Sequence, residues 1–199
     1  MRILIVGATG TIGRAVTAAL AGRHEVLRAG RRSGELTVDA TDPASVQAMF
    51  EKAGPLDAVI MTAGGAHVGP LGEMTAEQFR VGLNDKLMGQ VNMVLAGQRY
   101  LRDGGSFTLT SGVISEHPIK HGVSLMATNR AIEGFAQAAA CELPRGLRIN
   151  VVSPGVLTES MEVYGPYFPG TEPVPAARVA LRYELSVEGV ETGKIYKIW

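Results

Sequence analysis

The chain has 199 residues, 46% of them hydrophobic, 19% charged and only 6% aromatic, which suits one globular domain over residues 1–199 packed by aliphatic side chains. Lys+Arg and Asp+Glu both number 19, so no basic excess is present to attract a nucleic-acid backbone or an anionic membrane. The single cysteine, Cys141, rules out an internal disulfide framework and a multi-thiolate metal site and fits a reducing, cytoplasmic setting; amid Ala138–Ala140 and Leu143 it reads as a small core residue.

The first element is Arg2–Val6, an aliphatic run read as a strand and too short for a signal or membrane-spanning segment; no other run approaches about 18 apolar residues. Thr11–Ala21 has helical period, Glu25–Ala29 is a second strand and Leu36–Asp39 a short third one. Thr41 or Asp42 before Pro43 starts a helix over Pro43–Ala53, with Val46, Met49 and Phe50 on one face, and Gly54-Pro55 stops it. Asp57–Met61 follows as a strand. Thr75–Leu101 reads as one long helix, since Phe79, Leu83, Leu87, Val91, Val94 and Leu95 recur at spacings of three and four. Then come a strand at Ser106–Thr110, a second long helix at Val123–Leu143 stopped by Pro144, and a strand at Leu147–Val152. A Pro/Gly-rich loop over Pro154–Pro175, a helix near Ala176–Leu185 and a strand at Lys194–Ile198 complete the chain. Strands that are apolar almost throughout, each followed by a helix, predict an α/β fold: a doubly wound, Rossmann-type parallel sheet of about seven strands with helices on both faces. Gly30–Glu35 is too short for a crossover helix, so that crossover must be a loop.

The 25 glycines give the first chemical clue. Between the first strand and first helix stands Gly7-Ala8-Thr9-Gly10-Thr11-Ile12-Gly13. Its first glycine permits a tight turn, the second lets backbone N–H groups approach a pyrophosphate at the helix N-terminus, and the third allows close helix–strand contact. A turn without a ligand is the bland alternative. At the end of the second strand a carboxylate would accept from an adenosine ribose 2′-OH; the sequence instead offers Arg31, Arg32 and Ser33, two guanidinium groups and a hydroxyl suited to a 2′-phosphate. The site is therefore read as selecting NADP over NAD, against the alternative of two solvated loop arginines. Asp39 is placed either to meet the adenine amino group or to cap the turn before the next helix.

With these features the sequence resembles the short-chain dehydrogenase/reductase family over nearly its whole length. The resemblance rests on the Gly7–Gly13 turn, Ala63-Gly64 after the fourth strand, Gly104-Gly105-Ser106, Thr110-Ser111-Gly112, Ile132-Glu133-Gly134-Phe135, and Arg148–Gly155 (RINVVSPG) followed by Thr158. It implies that Ala63 and Gly64 border the cofactor and that Pro154, Gly155, Val156 and Thr158 lie at the nicotinamide end. The family's chemistry needs a Tyr and, four residues on, a Lys, whose ammonium lowers the phenol pKa. Aligned on Glu133-Gly134-Phe135, those places hold Leu125 and Asn129, and none of the five lysines has a tyrosine four residues before it. The family's upstream Asn falls at Lys86, and Ser111 sits one residue from the usual serine spacing.

Ser111 and Lys86 are accordingly the candidate catalytic residues, and His117, Lys120, His121, Tyr164 and Tyr167 are other groups in segments bordering the cleft. No metal site is expected. Three readings follow: an NADP-dependent oxidoreductase acting on a small carbonyl or alcohol with an unusual proton donor, an NADP-binding sensor or regulatory protein, or a hydride transfer that needs no strong protein acid. Alanines 127, 131, 136 and 138–140 on the second long helix would allow close helix contact, and the resemblance implies a homodimer or homotetramer through the two long helices. Ser160–Pro175, with Met161, Val163, Tyr164, Tyr167 and Phe168, reads either as an apolar lid or as a loop packed on its own aromatics.

Overall fold

The computed structural model describes residues 1–199. Seven parallel strands form one sheet in the order β3-β2-β1-β4-β5-β6-β7. They are β1 (Arg2–Val6), β2 (Glu25–Gly30), β3 (Leu36–Thr37), β4 (Leu56–Met61), β5 (Leu101–Thr110), β6 (Arg148–Pro154) and β7 (Ile195–Ile198). Because β1 lies between β2 and β4, with Leu4 level with Leu27 and Val59, the order reverses there. That reversal opens a crevice at the carboxyl ends of the strands.

Helices cover both faces. On one face α2 (Pro43–Ala53), α4 (Met88–Gly97) and α5 (Val123–Ala139) pack Phe50, Met93 and Ile132 against Leu4, Phe107 and Val151. On the other, α1 (Thr11–Leu20) and α7 (Ala176–Glu188) pack Val16, Leu20, Val179 and Tyr183 against Ile3, Ile5, Ile60 and Val152. Alternate strand residues thus feed two separate cores, which is why the strands read as continuous apolar runs. Each fully buried Ile, Leu or Phe in these layers contributes about 1.5–3 kcal/mol of transfer free energy. The second crossover is a loop, as its length requires, closed by a paired Arg28 and Glu35. No helix is long and apolar enough to cross a membrane.

Three elements depart from the sequence expectation. The long helix over Thr75–Leu101 is interrupted: α3 (Ala76–Gly82), begun by a Thr75/Gln78 capping box, passes into a five-residue π-helical segment, Leu83–Leu87, and then into α4. It ends at Gly97, because Leu101 has already entered the sheet opposite Leu56; a register shift between Leu56 and Ala58 absorbs the extra residues Arg102–Gly105. The second long helix stops at Ala139, so Cys141 falls in the following turn and is exposed, not a core residue. The loop after β6 contains a short helix, α6 (Met161–Tyr164), between two 3-10 turns.

Candidate active site

Two neighbouring cavities occupy the crevice. The first, of about 340 Å³, is lined by the Gly7 turn, Thr9, Gly30, Arg31, Arg32, Ser33, Ala63, Gly64 and Asp85. Gly7 has φ +85°, and a Cβ on Gly13 would lie 2.2 Å from the Gly7 carbonyl oxygen, so the turn closes only with glycine at both places. Gly10, the N-cap of α1, offers no side-chain cap, and the first turn carries no acidic residue. The amides of Thr11, Ile12 and Gly13 therefore remain available to an anion, where the helix dipole favours negative charge.

The arginine pair divides. Arg31 is held by Asp85 at 3.1 Å and by Asp39 at 3.5 Å, whereas exposed Arg32 makes no ion pair and borders the same cavity. Ser33 Oγ stands 3.3 Å from Thr9 Oγ1, bringing the second-strand loop against the glycine turn. Asp39 Oδ1 accepts from the N–H and hydroxyl of Thr41, which hold its carboxyl below the usual carboxylate range with help from Arg31. The helix cap itself is Asp42, whose Oδ1 accepts from Ala44 N–H.

The second cavity, of about 300 Å³, is mainly apolar; Val113, Ile114, Leu125, Val156, Tyr164 and Phe168 are among its lining residues. Pro154 and Gly155 lie in its wall with Ile12. Thr158 does not: it opens a 3-10 turn, is exposed, and donates its N–H to Val174. Of the other polar candidates, Tyr164 and Tyr167 reach this cavity; exposed His117 instead packs edge-on against Trp199, and Lys120 and His121 stay outside. Tyr164, Tyr167 and Phe168 of this loop line the cavity.

Lys86 is the one cation in that wall, and its placement depends on the π segment. An extra residue in the turn presents successive side chains to different places: Asp85 to the first cavity, where its Oδ2 accepts from Gly65 N–H at 2.8 Å, and Lys86 to the second. The buried Lys86 carbonyl is met by the Gln90 side-chain amide, which also bonds both backbone groups of Thr110 and so ties the helix to the end of β5. A Cβ on Gly64 would lie 2.8 Å from Lys86 Cα; the glycine is what lets the segment come this close. Lys86 Nζ donates to Asn129 Oδ1 at 2.6 Å and to the Ser111 carbonyl at 3.0 Å. Burial pulls its pKa from 10.5 down to about 8, against an opposing pull from the Glu133 carboxylate.

Ser111 is buried and its hydroxyl donates to Glu133 Oε1 at 2.7 Å. Glu133 is 2% exposed; in the sequence it stands only as part of a matching motif. The available signal was its spacing: Asn129, Ile132, Glu133 and Ala136 share the buried face of α5, where a carboxylate is out of place without a partner. The one buried phenol of the chain, Tyr183, bonds Thr110 Oγ1 in the opposite core, and burial pushes its pKa up. It lines neither cavity. No cluster of three or more His, Cys, Asp or Glu side chains is arranged as metal ligands.

A crevice at the strand-order reversal, a glycine turn at a helix N-terminus and an adjoining apolar cavity define a dinucleotide-binding α/β protein. The family model described as "Enoyl-(Acyl carrier protein) reductase" matches residues 9–192, and the chain belongs to the short-chain dehydrogenase/reductase family of oxidoreductases, which use a nicotinamide cofactor. An uncharacterized oxidoreductase of Mycobacterium tuberculosis is 32% identical, over 90% of this chain and 77% of its own length. A Listeria innocua protein superposes with a TM-score of 0.99 at 48% identity, covering 100% of both chains. A small-chain dehydrogenase crystallised in complex with NADPH superposes with a TM-score of 0.88 at 28% identity, over 100% of this chain and 96% of its own.

Proposed function

We propose that this protein is an NADP(H)-dependent oxidoreductase that interconverts a small, largely apolar carbonyl compound and its alcohol, with Lys86 as the proton donor. The observation that carries the reading is Lys86 Nζ itself: two acceptors engage it, leaving one N–H position for a ligand in the apolar cavity. The phosphates fit the amides of Thr11–Gly13, and the 2′-phosphate fits Arg32, Ser33 and Thr9. Arg31 supports this cradle from its pairs with Asp85 and Asp39, Ala63 and Gly64 form its floor, and Pro154, Gly155 and Val156 flank the nicotinamide end. The complex of a relative with NADPH supports the choice of phosphate-bearing cofactor.

When bound, the cofactor supplies or accepts hydride. In the reductive direction, Lys86 hydrogen-bonds the substrate carbonyl oxygen and passes it a proton as the oxygen gains charge, leaving a neutral amine. Asn129 takes the place of the family's lysine and holds this amine from the facing helix, so amine and carboxamide have changed sides. Ser111 serves through its carbonyl; its hydroxyl hydrogen is committed to Glu133. Leu125, where the family carries the phenol, adds apolar wall. Exposed Leu95 and Met88 and the groove between α4 and α5 lined by Phe135 and Ala139 support a homodimer or homotetramer, which light scattering would test.

Cofactor binding is tested by calorimetry with NADPH and NADH, and catalysis by NADPH oxidation across aldehydes, ketones and quinones. Equal affinity for the two cofactors would sink the 2′-phosphate assignment. Tight NADPH binding with silence across all substrates would favour a sensor or regulatory protein, for which the loss of the phenol at Leu125 is the supporting observation.

A further inference from the structure

Glu133 takes no part in the proton transfer proposed above, yet it sits directly behind it. Ser111 is the shared element: its carbonyl accepts from Lys86 Nζ and its hydroxyl donates to Glu133 Oε1. The second carboxylate oxygen, Oε2, is buried without a hydrogen bond and lies 3.7 Å from the guanidinium of Arg130, whose side chain is 55% exposed. Two more buried oxygens, Ser115 Oγ and Ser153 Oγ, likewise lack partners. Ser153 follows Val152, which is level with Thr110, and by alternation it faces the α5 side with Val151, next to Ser111. Ser115 ends the short turn that leads away from Ser111.

A carboxylate kept only for packing would have both oxygens satisfied, since an unmet buried acceptor costs about 1–3 kcal/mol. Here one oxygen accepts from Ser111, and the other has no hydrogen bond, only the Arg130 guanidinium 3.7 Å away. We propose that Glu133 is a positioning residue: it fixes Ser111 from behind and supplies the buried counter-charge that keeps Lys86 an ammonium. The other charged groups around Lys86 are turned elsewhere. Asp85 is bound by Gly65 and Arg31, Glu116 by Lys197 and Arg130, and His117 lies against Trp199. Tyr164 and Tyr167 face Lys86 only across the cavity. Glu133 is therefore the anion whose field Lys86 feels. The inference rests on Lys86 being the acid of the proposed function, but its test does not need turnover.

Protein labelled with 13C-lysine gives five ε-methylene signals, and Lys86→Met identifies the one from Lys86. In the unaltered chain it should titrate near pH 8. In Glu133→Gln, isosteric and still able to accept from Ser111, the midpoint should fall by about one pH unit, a tenfold larger ratio of neutral amine to ammonium at a given pH. Arg130→Ala, an exposed change that leaves the fold intact, should move it the other way by removing the positive charge that competes for Glu133. A midpoint unmoved or moved upward in Glu133→Gln would overturn the proposal; should the glutamine variant not fold, an unmoved midpoint in Arg130→Ala does the same. Absence of NADPH oxidation with the titration shifts intact would remove the proposed reaction and leave the Glu133–Lys86 coupling standing.

Discussion

Burying Lys86 should leave a mark on folding stability that needs no substrate to detect. Its pKa falls from 10.5 to about 8 in the folded chain, which converts, at about 1.4 kcal/mol per pH unit, to a penalty of about 3 kcal/mol. Below about pH 8 both folded and unfolded chains hold the proton, and the folded state bears the whole penalty. Between about 8 and 10.5 the unfolded chain still binds a proton that the folded one has released, so this group's contribution makes stability rise with pH. Above 10.5 both forms are neutral and the penalty is gone. Lys86→Met removes the group but also strips Asn129 Oδ1 and the Ser111 carbonyl of their donor, at about 1–3 kcal/mol each, so the offset between the proteins at one pH decides little. The difference between their curves is what matters. Urea unfolding of both from pH 7 to 10.5 should show the unaltered chain gaining about 3 kcal/mol relative to the variant, or roughly 6–12 °C in thermal midpoint for a chain of this size. Parallel curves across that window would refute the burial of a shifted amine.

If Lys86 is the acid, NADPH-dependent carbonyl reduction should decline about tenfold per pH unit above about 8, as steady-state kcat/KM would record. Lys86→Arg keeps the charge but cannot release a proton near neutrality, and should lower kcat by about 10²–10⁴ with NADPH affinity retained; undiminished turnover would acquit the residue. Arg32→Ala should weaken NADPH by about 10–100-fold in calorimetry, the worth of one charge-assisted phosphate contact of about 1.5–3 kcal/mol, with NADH unaffected. Gly13→Ala places a Cβ 2.2 Å from the Gly7 carbonyl oxygen, so it should abolish cofactor binding and lower the thermal midpoint, whereas Gly22→Ala, with open space around its Cα, should do neither.

Much of this architecture could be read from residue order alone. Apolar strands of five or six residues alternating with helical periods determine a parallel sheet covered on both faces, since only a sheet buried on both sides tolerates such strands. The Gly7–Gly13 turn determines a backbone that can approach a phosphate, and Arg31-Arg32-Ser33 in place of a carboxylate carries the proposed preference for NADP, because these depend on local geometry and charge. Other features depend on groups far apart in the chain. The hydrophobic spacing of Phe79, Leu83 and Leu87 suits an α-helix, and only contact with Gly64 and Gln90 reveals the π turn between them. A lysine at position 86 reads as a solvated side chain until Asn129 and the end of β5 close around it. Glu133 is 47 residues further along, and its partnership with Ser111 exists only because α5 packs on the sheet against β5 and β6. The sequence by itself determined the sheet and a glycine turn open to a phosphate; tertiary packing decided where the proton-bearing groups stand, since burial and opposing charge are properties of what surrounds a residue.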